Sequence, residues 1–232
     1  KASTHPRLEP DQSIPHQSET LISRAADPEV ATTRIDIGYR RDVGAAPDNA
    51  FGSPVGDRVF DDFLRSTLVE ALKGGSVQSV SVFRKPIGPG TTVLTVRAVV
   101  KSGETLEGLS DLLLEMERLA QQDVSAERLK ESQDRVRAAI RTRYENRNAL
   151  SNEDLAAECG DHFFDGGDLP DIESTFAAVD TLLSRVTIEA VSNLLDQLVL
   201  KRDRLVMISA PKAEDLPGEE EGDRIIGADR RD

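Results

Sequence analysis

The stretch LLLEMERLAQQDVSAERLKESQDRVRAAI, Leu112–Ile140, decides the fold. Leu106, Leu109, Leu112/Leu113, Met116 and Leu119 recur at helical spacing and form one apolar stripe. DVSAE breaks the stripe, with Ser125 placed as the N-cap of a second helix. That helix sets Leu129, Val136 and Ile140 against an outer face carrying Arg135, Arg137, Arg141 and Arg143. A helix, a capped break and a long helix with a basic outer face form the hinge of a helical run of about a hundred residues.

Upstream the periodicity changes. ETLISRAA reads as a strand and Asp27–Glu29 as a turn. Thr33, Ile35, Ile37 and Tyr39 then alternate with Arg34, Asp36, Gly38 and Arg40, a strand with one buried face and one wet face. In DRVFDDFLRSTLVEALKGG, Val59/Phe60, Phe63/Leu64, Leu68 and Leu72 give a helix with Asp57 in its first turn and Gly74–Gly75 as its stop. Two strands follow, Val77–Arg84 and Thr91–Val100, joined by KPIGPG. The second is apolar on both faces, with Val93, Thr95 and Val99 opposite Leu94, Val96, Ala98 and Val100, and reads as a central strand.

Downstream, Ser151 opens a helix with Asp154 as capping-box acid and Leu155, Cys159 and Phe163 as its stripe. Ile172, Phe176, Val179 and Leu183 mark the next helix, Thr187 caps another, and RLVMISA (Arg204–Ala210) is a final strand. Strands adjacent in sequence followed by a helical run predict an α+β domain, with a mixed, mainly antiparallel sheet of about five or six strands and helices packed on one face. We expect a linker over residues 1–18, one domain over 19–211, and an acidic tail over 212–232 that is a linker or a weak helix.

The 232 residues carry 42 acidic against 29 basic side chains, a net charge of −13, which argues against a phosphate backbone or an anionic membrane surface as partner. It is compatible with basic peptides, though a solvated surface explains it as well. No apolar run approaches the roughly 18 residues of a membrane span. One cysteine, Cys159, excludes an intrachain disulfide and a zinc site built from several thiolates. KASTHPRLEP begins without Met or a signal peptide, so we expect a piece of a longer protein.

Little catalytic chemistry is legible. His5 and His16 lie in the expected linker, and His162 has only Glu158 one turn away as a companion ligand. H-E-x-x-H, H-x-x-E-H and G-x-S-x-G are absent. Gly88–Gly90 is a hairpin turn and KSGET falls short of a phosphate loop. Arg141, Arg143 and Tyr144, with Arg147, form a cationic cluster that could contact a substrate carboxylate or simply pair with the surplus acids.

The segment TVRAVVKSGETLEGLSDLLLEMERLAQQDVSAERLKESQDRVRAAI resembles the insulinase or pitrilysin-type zinc metallopeptidases, in which a strand leads through a K-x-G-E turn into a helix and a G-V-(S/T)-x-x-E-L-like break opens a long one. Asp123 replaces the glycine; Val124, Ser125 and Leu129 fit. LISRAADPEVATTRIDIGYRR is similar to the strand pair opening the family's second domain, and LLSRVTIEAVSNLLDQLV with RLVMISAP to its closing helix and strand. The family's H-x-x-E-H is missing, and its substrate-gripping Arg and Tyr cannot be carried over, because the first helix here runs into LKGGSVQSVSVF. The resemblance therefore implies a non-catalytic domain that helps close a chamber around peptides, with no catalytic residue, metal ligand or cofactor of its own. Zinc would sit in the catalytic domain of the same parent chain. It also implies a periplasmic or other extracytoplasmic bacterial location and admits a homodimer. The substrate-contact candidates are Arg34 and Arg40 on the wet face of the second strand, and Arg141, Arg143 and Tyr144. A scaffold module from a family member without peptidase activity, as in respiratory-complex core subunits, is the rival expectation.

Overall fold

A computed structural model describes residues 14–42, 51, 53–88, 90–149, 151–153, 156, 159–160, 171–200 and 202–228. The strands are β1 (Leu21–Ala26), β2 (Thr33–Asp42), β3 (Val77–Gly88), β4 (Thr91–Val100) and β5 (Arg204–Ala210). The helices are α1 (Pro54–Ala71), α2 (Thr105–Gln121), α3 (Ala126–Glu145), α4 (Ile172–Ser184), α5 (Ile188–Leu198) and α6 (Glu219–Ala228). The five strands form one sheet in the order β1-β5-β2-β4-β3; only the β1–β5 pair is parallel. This is the α+β architecture expected, with the strand number settling at five among the described residues.

One sheet face is the floor of the core. Ile35, Ile37, Leu94, Val96, Ala98, Val206 and Ile208 are fully buried there, against Val59, Phe60, Leu64 and Leu68 of α1 and Leu109 and Leu112 of α2. Each such aliphatic side chain contributes roughly 1.5–3 kcal/mol by leaving water. The helices start where their caps dictate. The Ser53, Ser125 and Thr187 hydroxyls accept from the amides of Gly56, Arg128 and Ala190, and the Asp171 carboxylate accepts from Glu173 and Ser174. Gly74, at φ +85, ends the first helical segment. Gly108 lets α2 lie directly on β4: a Cβ there would meet Val100 Cγ1 at 2.5 Å. Across the helical layer, the Gln133 amide donates to the carbonyls of Leu183 and Val186, satisfying the end of α4.

Four expectations change. β3 runs on to Gly88 instead of stopping at Arg84, because Lys85, Pro86 and Gly88 still pair with Val93, Thr92 and Thr91. The irregularity falls between Pro86 and Gly88, and proline is tolerated there because β3 is an edge strand. Asp36 and Gly38 are buried, not wet, because neighbouring strands' side chains close over them. Cys159 is exposed and so forms no part of an inner stripe. In the tail the helical alternative holds, as α6: Ile226 is buried in the core cluster, and the Arg24 guanidinium bonds to Asp223 and to the Glu219 carbonyl. At the other end His16 and Gln17, inside the expected linker, both bond to Asp203. Asp154, Leu155, Glu158, His162 and Phe163 lie outside the described residues.

Candidate functional site: the uncovered sheet face

The alternation that buries Ile35, Ile37 and Tyr39 under the helices sends every second residue of each strand to the opposite face, on which no described helix packs. The registers set these residues in rows. The first is Ala25, Ser209, Arg34, Val99 and Ser79; the second is Ser23, Met207, Asp36, Arg97 and Ser81; the third is Leu21, Leu205, Gly38, Thr95 and Phe83. Arg40, Val93 and Lys85 make a fourth, shorter row. Leu21 and Leu205 are 50% and 39% exposed, an apolar patch left open at the β1 edge.

Asp36 and Arg97 sit at the middle of this face. The Arg97 guanidinium donates to both Asp36 oxygens at 2.7 Å, and its carbon lies 5.0 Å from the centre of the Phe83 ring. The hydrogen bond to Asp36, opposed by burial, holds Arg97 above the ordinary arginine range. Gly38 admits the neighbouring strands closely, since a Cβ would stand 3.1 Å from Val93 Cγ1.

Arg40 is drawn to the end of the face. Its guanidinium donates to Asp42 at 3.0 and 3.1 Å, and its amide to the Asp203 carbonyl. Asp203 holds a left-handed backbone at φ +57, and its carboxylate accepts from the Gln17 amide and from His16. Burial works to raise Asp203, but the Gln17 amide, His16 and Arg40 outweigh it and leave the group below the usual carboxylate range. Arg34 is half-buried beside Ser209 and Val99, and its Nε is buried without a hydrogen-bond partner.

The α3 candidates lie elsewhere, at the end of a helix in the covering layer. Arg141 donates to Glu145, Arg143 is engaged as well, and Tyr144 stacks on Phe176 of α4 at 4.2 Å with Arg147 over its other side at 4.1 Å. Arg147 also reaches Glu173. The structure thus keeps Arg34 and Arg40 on the sheet face and Arg141, Arg143 and Tyr144 at a helix–helix contact. Sequence reasoning missed Arg97 and Phe83. The available signal was a single arginine in the otherwise uncharged strand β4, beside the strand that carries the aromatic receiving it.

Beneath the sheet, Arg84 of β3 bridges Asp61 at 2.9 Å and Asp57 at 3.3 Å, and Arg41 approaches Asp57 at 3.6 Å. Burial pushes the Asp61 carboxyl above its ordinary value against the pull of Arg84; burial and the nearby Arg84 push Arg41 down. The described residues do not fit a zinc ion: among them no group of three or more His, Cys, Asp and Glu side chains could hold a metal. No described helix is long and apolar enough to cross a membrane.

The five-stranded sheet with its helices on one face is the fold of insulinase/M16-type peptidase domains, as likeness to solved structures shows. In detail, the chain is similar to the first half of the periplasmic protease PqqL from Escherichia coli, with a TM-score of 0.78 at 13% identity over 93% of this chain and 47% of that one. A predicted insulinase family protease from Yersinia pestis gives 0.72 at 10% identity, covering 91% and 46%. A peptidase M16 inactive domain from Pseudomonas fluorescens gives 0.56 at 13% identity, covering 87% and 45%. The chain thus spans just under half of each. No family model and no curated protein matches the sequence.

Proposed function

We propose that this chain is a non-catalytic, chamber-forming domain of a multi-domain zinc metallopeptidase that degrades peptides. Its role is to enclose substrate, and the zinc site belongs to a catalytic domain of the same parent chain. The carrying observation is the uncovered sheet face, part apolar and part guanidinium, in a fold shared with halves of peptidases. Metal-assisted hydrolysis needs an activated water, a base and an open coordination position. The sequence contains neither H-x-x-E-H nor H-E-x-x-H, and of its three histidines only His162 lies beyond the first sixteen residues. An extracytoplasmic location accompanies this reading, in line with the periplasmic PqqL half.

The test compares the purified chain with its full-length parent on quenched fluorescent peptides. We expect no turnover by the chain alone and chelator-sensitive turnover by the parent. Leu205→Arg or Leu21→Arg, both at exposed positions, should change KM in the parent while the melt stays near wild type. Chelator-sensitive activity from the chain alone, persisting through two columns, would overturn the non-catalytic reading. Unchanged kinetics of both face variants on several peptides would remove the enclosing role. An inactive parent lacking H-x-x-E-H would favour the scaffold reading.

A further inference from the structure

We propose that Arg34 binds the carboxylate of an acidic side chain in an extended peptide lying along β2 on the uncovered sheet face. The inference rests on the enclosing role above and names the substrate feature that this face would select. Three arginines on the face start from different positions. Arg97 is held by both oxygens of Asp36, and Arg40 by Asp42. Arg34 has neither an ion pair nor a hydrogen bond among the described residues, although the chain carries 42 acidic side chains. Its Nε is buried, so water does not replace the missing acceptor. A buried donor left unsatisfied costs free energy that an incoming acceptor recovers, and a planar guanidinium recognises a carboxylate by paired N–H donors. The neighbours across the strands, Ser209 and Val99, bring no charge to compete. The chain's net negative charge would disfavour acidic peptides in general, so the preference is local to this row.

The same geometry sets a spacing. The apolar row of Leu21, Leu205 and Gly38 lies four residues along β2 from Arg34, roughly 13 Å at the rise of an extended strand. A peptide running beside β2 would therefore place an acidic side chain at Arg34 and an apolar one about four positions away.

The experiment is a binding cycle on the intact chain, using labelled peptides with blocked ends that carry one Glu and a Leu at that spacing, read by fluorescence anisotropy at low salt. Replacing the peptide Glu with Gln should weaken binding about tenfold, the scale of one charge-assisted pair. Arg34→Gln should bind the two peptides equally, and Arg34→Glu should recover affinity for a Lys-containing peptide. Equal binding of the Glu and Gln peptides by the wild type overturns the proposal and leaves the enclosing role standing. A preference that survives Arg34→Gln overturns it too, as does binding that requires a free peptide C-terminus. If no peptide binds in any arm, this proposal and the peptide-facing reading of the sheet fail together.

Discussion

At Asp36 and Arg97 the outer face acquires a fixed point. Asp36 is buried and its only charged partner among the described residues is Arg97, so Arg97→Met strands a carboxylate, whereas Asp36→Asn keeps an acceptor beside the cation. We expect Arg97→Met to cost about 1–3 kcal/mol in urea unfolding and Asp36→Asn distinctly less. Equal losses would mean that the pair acts as surface charge alone. The two sides of β2 should respond differently to mutation. Ile37 is 0% exposed, and Ile37→Asp replaces an apolar contact with a charge that has no partner, enough to unfold a domain of ordinary stability. Arg34→Ala should melt close to wild type. Comparable losses in the two melts would reverse the assignment of faces. Asp61 supplies a pH dependence. Its folded value is raised, so its favourable contribution is fully present below the unfolded value near 4 and is lost as pH rises through the folded value. Wild-type stability should therefore fall across that window more steeply than that of Asp61→Asn, as read from urea midpoints at successive pH values; parallel profiles would count against it.

The elements owe their placement to caps and close approaches. Ser125 both ends the α2–α3 break and starts α3, and Ser125→Ala should cost about 1 kcal/mol, the usual worth of an N-cap hydroxyl. Gly108 decides how near α2 comes to β4. With Val100 Cγ1 standing where a Cβ would go, Gly108→Ala must push the helix off the strand, despite alanine's better helix propensity. A net loss of about 1–3 kcal/mol in the thermal melt is expected from overpacking, and a gain would show that α2 shifts freely. The outer helices are tied by ion pairs across elements, such as Arg135 to Asp62 and Arg137 to Asp180. These pairs are partly exposed, so the helical layer depends mainly on Leu129, Val136 and Ile140 for its hold.

At the scale of the molecule, helices gathered on one side leave the sheet with one dry face and one on which no described helix packs. Under the proposed enclosing role, that open face would belong to peptide. The helix α6 closes the other side, carrying Ile226 into the core and Asp223 to Arg24. Truncation after Gly218 should therefore lower the melting temperature of the chain. An unchanged melt would mean that residues 219–228 behave as a tail.

Periodicity identified β2 and the stripes of α1 to α4, because burial against one partner face writes itself into the chain every second or every third to fourth residue. Ser125 and Thr187 were readable as caps because a hydroxyl at a helix start bonds to local backbone. The class of the sheet, mixed but mainly antiparallel, followed from strands adjacent in sequence. The order β1-β5-β2-β4-β3 was not readable, since it depends on the carboxy-terminal strand inserting between β1 and β2. That insertion put Arg34 beside Ser209 without an acid and Leu205 beside Gly38, and the β2–β4 pairing put Asp36 against Arg97. These neighbours are 61 to 175 residues apart in the chain, a separation at which no local pattern records who meets whom. Only the pairing of strands in three dimensions decides which charge is satisfied and which is left open.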